Sequence, residues 1–150
     1  MIGELWIFFA FSTLIVLTYQ DYKNNMVIDP RFNYFMLGCS SFIFAASPVW
    51  EQGIIKIFLL SLLVYVVADF IYRLLRMGGG DIDTLRWINV GLFAINPKLI
   101  LVFNLILMIM YIIHGGIIRI GCKIKKIPVK NTPFFIVILL AFFVTFFFFL

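Results

Sequence analysis

The chain has 150 residues, 64% of them hydrophobic, with a mean hydropathy of +1.12. A soluble domain is about 45–50% apolar, so the composition excludes a soluble globular protein and predicts an all-α, polytopic membrane protein forming one embedded domain over residues 1–150. The net charge of +5 reads as a record of membrane orientation and contact with anionic headgroups; no nucleic-acid partner is expected.

A helix needs about 20 apolar residues to cross a hydrocarbon core about 30 Å thick. In chain order, residues 2–20, 32–49, 54–76, 82–95, 99–113 and 133–150 read as six spans. The first has no small-residue cleavage site before Asp21 and Lys23, so it reads as a retained span rather than a signal peptide. The fourth is short and carries Asp83, Arg86 and Asn89, but the fifth span has to return from the other side. The break before the fifth is Asn96-Pro97. Residues 115–131, where Ile117, Ile118, Ile120, Ile124 and Ile127 mix with basic residues, read either as a solvated basic loop or as a short segment lying on the membrane. The phenylalanine-rich end, 142–149, reads either as lipid-facing helix surface or as poorly specified packing. Trp6, Trp50 and Trp87 fall near predicted interfaces and read as belt residues.

The basic residues test this count. Lys23, Arg31, Arg73, Arg76, Arg86, Arg119, Lys123, Lys125, Lys126 and Lys130 fall on one side of the six-span path, and only Lys56 and Lys98 on the other. Basic residues concentrate on the cytoplasmic side. Both termini are therefore expected outside, and Asp21 and Asp81, each following an outside-to-inside span, at the cytoplasmic face of the cell membrane.

Met77-Gly78-Gly79-Gly80-Asp81-Ile82-Asp83 is the distinctive stretch. Glycines leave the backbone bare and open to close approach, and an acid beside a bilayer is costly unless it has a partner or a task. Two carboxylates held close cannot easily ionise together, so they share one proton. The ionised member can then take a proton from water while the other polarises a carbonyl, which is the chemistry of peptide hydrolysis. Read one residue at a time, Asp81 is equally an N-cap-type acid opening a helix, and Asp21 an interfacial charge. Cys39 and Cys122 share no CxxC spacing and read as free thiols; with His114 as the single histidine, no metal or other cofactor is expected.

Asp21-Tyr22-Lys23 with Val27-Ile28 downstream, and Gly78-Gly79-Gly80-Asp81, resemble the type IV prepilin peptidases and archaeal preflagellin peptidases, six-helix GxGD-type aspartyl proteases. Ile127-Pro128 and Thr132-Pro133-Phe134-Phe135 are similar to that family's approach to its last helix. The resemblance covers nearly the whole chain and implies catalytic roles for Asp21 and Asp81, with Gly78, Gly79, Gly80, Asp83 and Lys23 in support. It implies a prepilin- or preflagellin-like protein substrate with a short basic leader ahead of an apolar helix. The chain departs from the family in three places. Asp83 stands where the family often has lysine, Asp29-Pro30 follows Ile28, and the cysteine-rich insertion linked to N-methylation is absent, so peptidase activity alone is expected.

Asp83 is expected to pair with Arg86 at i+3, and Asp69, inside the third span, with Arg73 at i+4. Asn33 and Asn104 read as interhelical hydrogen-bonding groups, and His114 as a helix-end residue. Two other functions use the same residues: a small carrier working through Asp69, Asp81 and Asp83, and a non-catalytic subunit of a pilus or secretion machine.

Overall fold

In the computed structural model, residues 2–24, 30–75, 77–125 and 134–149 are described. The expected features at Val27, Ile28, Asp29, Arg76, Lys126, Lys130 and the 127–133 motif lie outside them. The described residues form α1 (Ile2–Asn24), α2 (Pro30–Ala45), a short 3-10 helix (Pro48–Gln52), α3 (Ile54–Leu74), α4 (Gly79–Ile95), α5 (Pro97–Lys125) and α6 (Phe135–Phe149), with no strand among them. Three helical stretches are long and apolar enough to cross a membrane, Gly3–Lys23, Ile55–Leu74 and Pro97–Lys125, and α6 is apolar but shorter.

Local chemistry sets several ends. Gly53 turns the chain into α3 with φ 115°, a conformation that glycine adopts without steric cost. Asn96 is extended, as a residue before proline prefers, and Pro97 opens α5, where its missing N–H costs nothing. The Asn96 Oδ1 accepts the Lys98 N–H at 3.0 Å, so one residue closes α4 and caps α5.

The weakest predicted span, α4, is the centre of the molecule. It packs against α1, α2, α3 and α5. Ile82, Leu85, Trp87, Ile88, Leu92 and Phe93 are buried along it. Its polar residues are tolerated because protein, not lipid, surrounds them and supplies partners. Tyr72 donates to Asn104 Oδ1, Asn104 to Asn89 Oδ1 at 2.9 Å, and Asn89 to the Tyr72 hydroxyl at 2.8 Å. This closed ring joins α3, α4 and α5, and gives Asn104 the interhelical role expected of it.

Three expectations change. Trp6 and Trp87 are core residues rather than belt residues, 2% and 0% exposed. Their rings meet edge to face at 6.2 Å, and their indole N–H groups find Ser40 Oγ and Asn33 Oδ1 inside the bundle. Buried indoles need such a partner, so the polar atom that suits a headgroup belt also suits a satisfied core. Residues 115–125 are not a loop, because α5 runs unbroken to Lys125. Its 29 residues span roughly 43 Å, well beyond the hydrocarbon core. The phenylalanine-rich end is divided. Phe142 is fully buried against Trp6, Phe11 and Phe103, while Phe143, Phe147 and Phe148 face outward.

Candidate active site

Asp21 sits in the last turn of α1, half-buried, and its Oδ2 accepts the Phe135 N–H at 3.3 Å. That amide opens α6, where unpaired N–H groups and the helix dipole favour an anion. Asp81 is the third residue of α4, also half-buried, and its Oδ2 accepts the Gly78 N–H at 3.2 Å. A helix start that lacks a capping side chain is thus closed by its own acid. Gly78 matters here for room rather than for φ, since a Cβ there would come within 3.1 Å of the Asp81 carboxylate. A Cβ at Gly79 would meet nothing within 4 Å, so that side of the turn is open.

The two acids are therefore bound at two helix starts on one end of the bundle, and they sense one another. Burial pushes the Asp81 carboxyl up, the charge of Asp21 pushes it further, and the Gly78 N–H partly offsets both, leaving it at about 6. The Asp81 carboxyl therefore keeps its proton to a higher pH than an exposed carboxylate does. The other sequence-predicted residues take different positions. Gly80 is exposed and offers its carbonyl inward, while Lys23 is exposed with its ammonium 5.9 Å from the Tyr19 ring centroid.

Asp83 pairs with Arg86, its Oδ1 2.7 Å from Arg86 Nη1. Asp69 pairs with Arg73 at 2.8 Å. Both i+3 and i+4 pairs are those expected from spacing. Spacing did not reveal that Arg86 also reaches Asp69, through Nη2 at 2.7 Å and Nε at 2.9 Å. Those two residues are 17 apart on different helices, and only packing brings them together. Asn33, expected simply as an interhelical group, lies at the floor of the glycine turn, where its Nδ2 donates to the Gly80 carbonyl at 3.3 Å.

Among the described residues no three His, Cys, Asp or Glu side chains converge as metal donors. Two clefts of about 570 and 560 Å³ lie beside Trp50 and between α1 and α2, and neither is lined by Asp21 or Asp81. The chain matches no family model, no curated protein and no solved structure.

Proposed function

We propose that the chain is a six-span aspartyl endopeptidase of the cell membrane that removes the short basic leader from prepilin- or preflagellin-like precursors. The observation that carries this reading is the coupling of Asp21 and Asp81, with the Asp81 carboxyl raised to about 6 by burial and by the charge of Asp21. The motif resemblance supplies the reaction class. The ten-to-two division of basic residues supports a cytoplasmic address for the pair and both termini outside.

In this mechanism the pair holds one proton. The ionised carboxylate takes a proton from water as its oxygen attacks the scissile carbonyl carbon. The protonated carboxyl donates to the carbonyl oxygen. Collapse of the tetrahedral intermediate breaks the C–N bond, and the amine leaves with a proton from the pair, giving one acid and one amine per water consumed. The pair titrates as a unit, so neither acid has a permanent role. The open Gly79 side leaves space for an extended strand, and the substrate's apolar helix stays in the bilayer. The carrier reading is weaker because Asp69 and Asp83 are both held by arginine.

The test is cleavage of a co-expressed prepilin-like precursor. Asp21→Asn and Asp81→Asn each lower the rate by about a hundredfold or more while the protein still inserts. Retained cleavage in either variant overturns the assignment.

A further inference from the structure

The turn that carries Asp81 has a physical problem. Gly78, Gly79 and Gly80 have no side chains with which to pack, and glycine is the residue most free to leave a given backbone conformation. A catalytic carboxylate has to be held within a fraction of an ångström. Its own cap, Asp81 on the Gly78 N–H, holds one side of the turn, and the neighbouring helix α2 supplies a group that holds the other.

Asn33 is 3% exposed and sits beneath the first turns of α4. Its Oδ1 accepts the Trp87 indole N–H at 3.1 Å and the Thr84 hydroxyl at 2.9 Å. An indole nitrogen can only donate, so it fixes which end of the amide faces it. The Nδ2 end is thereby turned to the Gly80 carbonyl at 3.3 Å. That carbonyl belongs to the peptide plane leading into Asp81, and the Thr84 hydroxyl also approaches it at 3.0 Å. We propose that Asn33 is a positioning residue for Asp81: it pins the Gly80–Asp81 peptide from below and so, together with the Gly78 cap, sets the direction in which the carboxylate leaves the turn. This rests on the endopeptidase reading for its effect on rate, but not for the anchoring itself.

Asn33→Leu keeps the size and removes the donor, and Asn33→Asp keeps the shape and the acceptor while replacing the donor by an oxygen. Trp87→Phe removes one of the bonds to Asn33 but spares the one to Gly80. Two readouts are taken on the full chain in detergent or nanodiscs. The first is amide hydrogen exchange at residues 82–84, the first amides of α4 with helical carbonyl partners. Both Asn33 variants speed exchange there and leave residues 88–92 unchanged, and Trp87→Phe has the smaller effect. The second is the kinetics of precursor cleavage. Both Asn33 variants lower kcat on the order of tenfold to a hundredfold with KM unchanged, which loss of packing alone would not produce. Where Asn33→Leu fails to insert, Asn33→Asp decides. Unchanged exchange at 82–84 overturns the anchor, whatever the fate of the peptidase reading. Full kcat in the Asn33 variants, when Asp21→Asn and Asp81→Asn are inactive, overturns the positioning role and leaves the peptidase reading intact.

Discussion

Asp81 binds its proton more tightly in the folded chain than in the unfolded one, because burial disfavours the anion and Asp21 repels it. Between about pH 4 and pH 6 the folded state holds the extra proton, so stability falls as pH rises through that window. Below the window both states are protonated and the penalty is absent; above it the penalty is fully present. Asp81→Asn removes it. The thermal midpoint of Asp81→Asn in detergent should exceed that of the parent at about pH 7.5 and match it near pH 4. Activity should show the same group from the other side. As pH rises through about 6 the pair loses its shared proton, and kcat/KM should fall along an alkaline limb centred near that value. A pH–rate profile with no change of slope between about pH 5 and pH 8 would remove the shared-proton mechanism.

At the scale of elements, one close approach and one ionic bridge of α4 can each be tested by a single substitution. Gly91 faces Trp6, and a Cβ at Gly91 would come within 1.9 Å of the indole ring. Gly91→Ala gains about 1 kcal/mol of helix propensity but forces Trp6 off Ser40 and overpacks the α1–α4 seam, at about 1–3 kcal/mol. The net effect should be a lower thermal midpoint. Gly38→Ala is the control, because its Cβ meets nothing within 4 Å. The bridge is Arg86, which binds Asp69 on α3 and Asp83 on its own helix. Arg86→Gln leaves two half-buried carboxylates without it, so α3 should dock less firmly on α4. A double-mutant cycle of Asp69→Asn with Arg86→Gln should return a coupling of about 1–3 kcal/mol. A coupling near zero would reduce the cluster to a surface decoration.

At the scale of the whole molecule, the outward faces of α1, α3 and α5 carry Phe8, Phe9, Ile55, Leu59, Leu63, Leu101, Leu105 and Ile112, all exposed. In water this surface would aggregate; in a bilayer it is the solvent-facing side. The cytoplasmic orientation proposed for the acids has a direct check. In a Cys39→Ser background, Cys122 near the basic end of α5 should react with a membrane-impermeant maleimide only from the cytoplasmic side. A cysteine introduced at Glu51 should react only from outside. Labelling of both from the same side would discard the orientation and with it the cytoplasmic address of the Asp21–Asp81 pair.

Local chemistry was legible without coordinates. Apolar length marked α1, α3 and α5, because crossing lipid demands it. Asn96-Pro97 marked the α4–α5 break, because proline restricts the residue before it. Asp69–Arg73 and Asp83–Arg86 followed from helical spacing. Facing was not legible. Helices that are apolar on all sides have no polar stripe to say which face turns inward, so Trp6, Trp87 and Phe142 could not be distinguished from lipid-facing residues. Likewise, nothing local separates a basic loop from the last turns of α5. The bonds that matter most to the candidate site join residues far apart in sequence: Asp21 to Phe135, Arg86 to Asp69, and Asn33 to Gly80. The sequence by itself determined a helical membrane chain with an acid after each of two apolar runs. Only the tertiary structure decided that α4 lies at the centre, because burial there depends on which helices pack around it. The packing of α1, α4 and α6 then puts the two acids within reach of one another's charge.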